Sequence, residues 1–233
     1  MKNLVLIGGS SSLGGDICEI FTRENYKVYA SYFSNNKKTS TLKNLEFHHL
    51  DLTNSSSIKN FSEFLVKKNI NIDVLISLAG IIPGKNLAEY SDIELDLVSD
   101  VNFLGQIKLL KKFLPLITNK SRLIFLSSIS AQKGSYDPIY AASKGAILSF
   151  VKSMLPSLPP GSTINAIAPG LIDNSSMFNK MNFEIQKMHS KTTHTGKFLN
   201  INDLSKIIFD LCQDHWKHLN GACIDLNGGQ YLR

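Results

Sequence analysis

Short apolar runs alternate with longer segments of helical period from one end of the chain to the other. The runs at 3–7, 27–32, 46–50, 73–78, 122–126, 163–168 and 222–226 predict seven strands. Between them Leu13, Ile17, Ile20 and Phe21 form one helical stripe, and Ile147, Phe150, Val151, Met154 and Leu155 form another at i, i+3, i+4, i+7, i+8. A third helix is predicted over 93–114, ending where Pro115 cannot continue it. Strands that are apolar almost throughout belong in a parallel sheet covered on both faces. The pattern therefore predicts one doubly wound α/β domain over residues 1–233, with no repeat and no linker. Only 171–197 breaks the rhythm. This stretch is long, polar and without regular period, and it follows a strand end, as a substrate lid would.

Composition narrows the reading by exclusion. With 43% hydrophobic and 19% charged residues, 15 Gly and 7 Pro, the 233-residue chain is neither disordered nor collagen-like. Cys18, Cys212 and Cys223 have no zinc or disulfide spacing, so a reducing, cytoplasmic setting is expected. No apolar run approaches a membrane span, and none at the N-terminus suits a signal peptide. The net charge of +6 is spread as pairs such as Lys37-Lys38, Lys67-Lys68 and Lys111-Lys112, so it demands no nucleic acid. His215 and His218, near Trp216, read as a solvated helix end; His189 and His194 read as exposed lid residues.

Two segments carry chemistry. Directly after the first strand come Gly8, Gly9, Ser10, Ser11, Ser12, Leu13 and Gly14, then a helix. A glycine-rich turn at a helix N-terminus offers unpaired N–H groups and the positive dipole end to a pyrophosphate. Tyr140 and Lys144 lie one helical turn apart, and a neighbouring ammonium stabilises a phenolate, moving the phenol toward the acid–base range. A strand ending in Ser127-Ser128 precedes them and can bring a hydroxyl to the phenol.

These segments, with others in the same order, resemble the classical short-chain dehydrogenase/reductase family across essentially the whole chain. Gly8 to Gly14 resembles its Thr-Gly-x-x-x-Gly-x-Gly loop, with Ile7 and Ser12 in place of a threonine and a glycine. Asp51-Leu52 resembles the pair that holds the adenine, and Asn102 the helix asparagine. Ser128, Tyr140 and Lys144 resemble the other catalytic residues, with Ser127 as the alternative serine. Residues 165–170 resemble the segment flanking the nicotinamide, and 225–229 the C-terminal signature. The family's Asn-Asn-Ala-Gly is here Ser77-Leu78-Ala79-Gly80, and Asn174 stands in place of a threonine. Within the family the chain is most similar to 3-oxoacyl-acyl-carrier-protein reductases.

The resemblance implies a Rossmann-type fold and hydride transfer between a nicotinamide and a carbonyl or secondary alcohol, with Tyr140 as general acid/base. Ser128 polarises the carbonyl, Lys144 lowers the Tyr140 pKa and holds the ribose, and Asn102 holds a water. Cofactor contacts are expected from Gly8, Ser10, Ser11, Ser12, Leu13, Gly14, Tyr32, Ser34, Asp51, Leu52, Ala79, Gly80, Tyr140, Lys144, Pro169, Gly170, Ile172 and Asn174, with no metal. No carboxylate follows Tyr32 to repel a 2′-phosphate, and Ser31, Ser34, Asn35, Lys37 and Lys38 supply donors and charge. NADP(H) is therefore expected, with NAD(H) as the alternative. The lid carries Lys180, Lys187, Lys191 and Lys197 against Asp173 and Glu184, with Met177, Phe178, Met181 and Phe183 among them, which favours an anionic or carrier-bound substrate. A homodimer or homotetramer through the long helices is implied as well. The rival reading, a dinucleotide-binding regulator or scaffold that has drifted from catalysis, rests on Ser12, Ser77 and Leu78.

Overall fold

The computed structural model describes residues 1–34 and 42–233. The strands are β1 (Lys2–Ile7), β2 (Tyr26–Tyr32), β3 (Leu45–His49), β4 (Ile72–Ser77), β5 (Ile117–Leu126), β6 (Thr163–Pro169) and β7 (Cys223–Leu226). They form one parallel sheet in the order β3-β2-β1-β4-β5-β6-β7. The helices are α1 (Ser12–Arg23), α2 (Ser55–Lys67), α3 (Asp92–Ser99), α4 (Gly105–Phe113), α5 (Ser130–Lys133), α6 (Pro138–Ser153), α7 (Ser176–Asn179), α8 (Phe183–Thr192) and α9 (Ile201–Leu211).

Alternation along the strands builds two cores. Leu4, Leu6 and Ile76 face α1 and α9, where they meet Ile17, Phe21, Leu204 and Ile208. Val5, Ile7, Leu75 and Phe125 face α2, α4 and α6, where they meet Phe61, Leu65, Leu109, Phe113, Ile147 and Val151. Both faces are thus dry, as continuous apolar strands require. Between β1 and β4 the order reverses direction, and the crevice at this switch point receives Gly8 from one strand and Ala79-Gly80 from the other.

Three sequence expectations are corrected here. The helix over 93–114 runs unbroken but is not a regular α-helix: residues Asp100–Leu104 form a wide π-helical turn between α3 and α4, closed by Gly105 N–H donating to the Asp100 carbonyl. The segment 171–197 is not irregular, because Ser175 caps α7 and Asn182 caps α8. Strand β5 begins at Ile117 rather than at 122, since the polar stretch before Arg122 hides a register shift in which Ser121 Oγ donates to the Ile72 carbonyl.

Candidate active site

The glycine-rich turn owes its shape to contacts a side chain would destroy. Gly8 has φ +88°, and a Cβ on Gly14 would lie 2.4 Å from the Gly8 carbonyl oxygen. Ser11 caps α1, its Oγ accepting from Gly14 N at 3.0 Å and donating to Gly8 O at 2.8 Å. Ser12 sits exposed as the first residue of α1 with no positive φ, so a serine fits where the resembled loop has glycine. The first-turn N–H groups of Ser12 and Leu13 have no acceptor within the helix, and Ser10 is half-buried beside them. Ser31 lies buried beneath the loop and accepts from Gly8 N at 2.9 Å, which makes it a support for the turn.

At the facing strand ends the structure brings Ser128, Tyr140 and Lys144 together. The side chain of Ser128 lies close enough to the Tyr140 phenol to hold its pKa down, and its Oγ accepts from Ser130 N at 3.1 Å, whereas Ser127 Oγ donates to the Lys144 backbone carbonyl at 2.8 Å. Lys144 Nζ donates to Leu126 O at 2.9 Å and to Ala79 O at 3.3 Å. Gly80 leaves the ammonium its room, since a Cβ there would lie 2.9 Å from Nζ. Burial dominates the electrostatics. It pulls Lys144 down to about 8 and raises Tyr140, a rise that Asp137 adds to and the Ser128 side chain opposes. The expected lowering of the phenol by Lys144 is therefore not what the protein's own groups produce.

Asn102 is fully buried in the wide turn. Its Oδ1 accepts from Ile81 N at 2.8 Å, and its Nδ2 donates to Ile81 O at 2.9 Å and to Ser143 Oγ at 3.0 Å, so the side chain ties the wide turn to the segment after β4 and to α6. The amide absent from Ser77-Leu78 is supplied by Gln106, to which Ser77 Oγ donates at 2.7 Å.

The remaining predicted contacts lie at or soon after the C-terminal ends of β2, β3 and β6. Tyr32 ends β2 against His49, and Ser34 is exposed just beyond, while Asn35, Lys37 and Lys38 lie outside the described residues. Asp51 accepts from Thr53 N and Oγ1 at 2.9 and 2.7 Å, and Leu52 is buried against Gly105. Pro169 O accepts from Ile129 N and Gly170 N donates to Leu226 O, both at 2.9 Å. Ile172 bridges to Leu199, and Asn174 follows with φ 58° and an exposed side chain. The segment 171–197 is fastened to the C-terminal turn: Thr195 N donates to Gly228 O at 3.1 Å, and Gln230 Nε2 lies 2.9 Å from both His189 Nδ1 and Thr192 Oγ1. His189 is thus partnered rather than loose, and His215 has a carboxylate partner in Asp210 at 3.2 Å.

Asp137 escaped the sequence reading. Almost fully buried, it caps α6 by accepting from Tyr140 N at 2.8 Å, and also accepts from Gly84 N at 2.9 Å and from Tyr90 OH at 2.8 and 2.9 Å. One carboxylate thereby ties the helix bearing Tyr140 and Lys144 to residues 84–90. The sequence signal was an Asp directly before a Pro at a helix start. Asp137→Ala is expected to destabilise the chain by about 2–4 kcal/mol, the sum of a lost cap and two stranded donors. Urea denaturation checks this; a loss below about 1 kcal/mol would show that water replaces the carboxylate.

The glycine-rich turn, the buried Ser-Tyr-Lys cluster and the all-parallel sheet define a dinucleotide-dependent oxidoreductase class, and the comparisons agree. The pattern of the family described as enoyl-(acyl carrier protein) reductase matches residues 8–230. The chain belongs to the short-chain dehydrogenase/reductase family of oxidoreductases. It is 30% identical over 235 residues to the 3-oxoacyl-[acyl-carrier-protein] reductase FabG of Buchnera aphidicola, covering 99% of this chain and 88% of that protein. FabG of Staphylococcus aureus strain Mu50 is 26% identical over 243 residues, covering 99% and 98%. The fold matches a short-chain dehydrogenase/reductase from Brucella melitensis with TM-score 0.92 at 23% identity, covering 100% of this chain and 97% of that one. It also matches BdcA, solved in complex with NADPH, with TM-score 0.86 at 18% identity, covering 98% and 93%.

The residues present fit a nicotinamide dinucleotide. The cradle that a Cβ at Gly14 would fill, and the first-turn N–H groups of α1, suit a pyrophosphate; Lys144, with its ammonium beside Gly80, suits a ribose. Among the described residues no cluster of His, Cys, Asp or Glu could hold a metal, and no helix is long and apolar enough to cross a membrane.

Proposed function

We propose that the chain interconverts a carbonyl and a secondary alcohol using NADP(H), with 3-oxoacyl thioesters as the substrate class. The observation that carries this reading is the buried Tyr140 phenol, beside the Ser128 side chain and one helical turn from a buried Lys144. The substrate class rests on relatives named 3-oxoacyl-[acyl-carrier-protein] reductase that match the whole chain, and on the lysines of the lid.

The bound cofactor supplies the hydride. Tyr140 donates its phenolic proton to the carbonyl oxygen, and Ser128 donates a hydrogen bond to the same oxygen, polarising it. Lys144, still an ammonium at neutral pH, holds the ribose. Asn102 keeps the backbone at Ile81 in place beside them. In the oxidative direction Tyr140 takes the proton back.

The test is consumption of NADPH by the purified chain with acetoacetyl-CoA as the 3-oxoacyl thioester. Turnover confined to other carbonyls would overturn the substrate class, and no turnover with any carbonyl would favour the scaffold reading. Fluorescence titration is expected to give a lower Kd for NADPH than for NADH. The difference should stay within about tenfold, because the described residues after β2 offer Ser34 but no arginine. Tighter NADH binding would reverse the preference.

Self-association is part of the proposal. Ile93, Leu97 and Leu104 stand exposed along α3 and the wide turn, while Leu110 is spent on the core. Light scattering at micromolar concentration is expected to give a dimer or tetramer; a mass of 25.9 kDa would contradict it.

A further inference from the structure

The wide turn between α3 and α4 creates a local problem of hydrogen bonding. When Gly105 N reaches back five residues to Asp100 O, the carbonyls that follow fall out of step with the helical donors. Gln106 fills the gap from its own side chain. Its two Nε2 hydrogens are shared among Asn102 O at 2.8 Å, Val101 O at 3.1 Å and, just beyond the end of β4, Ala79 O at 3.1 Å. Three carbonyls can only accept, so the amide nitrogen must face them, and the oxygen is left for Ser77 Oγ, which donates to it at 2.7 Å. Both side chains are buried, Gln106 at 3% and Ser77 at 2% exposure. A leucine of similar volume would suit an apolar core without needing any of these partners.

The Ala79 carbonyl is the link to chemistry, because it also accepts from Lys144 Nζ at 3.3 Å. One carboxamide therefore touches the peptide that anchors the ammonium and the peptide of Asn102, whose side chain in turn holds Ile81. Resting on the acid–base reading above, we infer that Gln106 is a positioning residue of the active site: aimed by Ser77, it sets the wide turn that presents Asn102 and the carbonyl that anchors Lys144.

The experiment compares Gln106→Leu and Ser77→Ala with the parent chain. Gln106→Leu is expected to lower kcat for acetoacetyl-CoA reduction by at least about tenfold, with KM values for both substrates changed less than about threefold. Without substrate or cofactor, the Ile81 amide, protected by Asn102 Oδ1, should exchange with deuterium at least about tenfold faster, while amides of β1 and β2 keep their rates. Ser77→Ala removes one hydroxyl without threatening the fold, and should show the same pattern at smaller amplitude. The double variant should be no worse than Gln106→Leu, since both act through one amide. Parental kcat and Ile81 exchange in either single variant would overturn the inference, as would fully additive losses in the double variant. A parent chain that reduces no 3-oxoacyl thioester counts against the proposed reaction and not against Gln106, which the exchange measurement then decides by itself.

Discussion

Tyr140→Phe is expected to fold as the parent does, to bind NADPH with unchanged affinity and to lose turnover by about 10²–10⁴-fold, the usual worth of a positioned acid–base group. The substitution removes one oxygen and keeps the ring that packs in the crevice. The phenol hydroxyl is not needed to hold α6, because the cap on Tyr140 N comes from the Asp137 carboxylate. Steady-state kinetics beside a cofactor titration separate the two effects. A variant retaining more than about a tenth of parental kcat would remove Tyr140 from the proton path.

Lys144→Met is expected to abolish turnover, weaken cofactor binding and change how stability depends on pH. In the folded chain Lys144 titrates at about 8, against 10.5 for an ordinary lysine, because burial disfavours the ammonium. Below pH 8 both states carry the proton, and the cost of the buried charge is present in full. Between about 8 and 10.5 the unfolded chain holds a proton that the folded chain has released, so this site's contribution to stability rises with pH. The rise amounts to about 3 kcal/mol at most. Burial has the opposite consequence for Cys18 and Cys212, which it raises to about 12, so total stability falls once unfolded thiols ionise. The difference between parent and variant isolates the lysine. Urea midpoints measured from pH 7 to 10 should show the parent gaining on Lys144→Met as pH rises, and parallel curves would mean that the ammonium is solvated.

The sheet was legible because its signal is redundant. Each strand is an apolar run bounded by turn residues, and the observed strands fall within one residue of the expected ranges except at the start of β5. There Thr118 and Ser121 look like loop residues, and only the cross-strand bond to Ile72 shows why they pair. The wide turn was illegible for a different reason. Leu97, Val101 and Leu104 keep helical spacing straight into it, and periodicity does not register one extra residue in a turn. The helices within 171–197 were missed because α8 buries no residue, so no apolar stripe marks it, although Asn182 and Glu184 do mark its start.

At the site, Tyr140 and Lys144 could be paired from the sequence because one helical turn separates them, and the choice of Ser128 over Ser127 rested on the family resemblance. The commitments of Asn102, Ser31 and Asp137 could not, since each depends on partners at least twenty residues away: Ile81, Gly8, and the pair Gly84 and Tyr90. A hydrogen bond between distant segments leaves no periodic trace. Gln106 is the extreme instance, a residue that reads as an ordinary helix former and makes contacts with four other residues.

The extra residue in the turn at Asp100–Leu104 works as a phase shift built into the longest helical run. Because Gly105 N bonds back to Asp100 O, five residues there occupy the place that four take in an α-helix, so deleting one would restore regular winding and leave α3 and α4 facing as they do. Ile93 and Leu97 would stay on the outer surface, and what would be lost is the bulge that presents Asn102 to Ile81. Length is therefore constrained in this run independently of residue type: a single-codon deletion would spare the outer helical face and withdraw Asn102 from the active site.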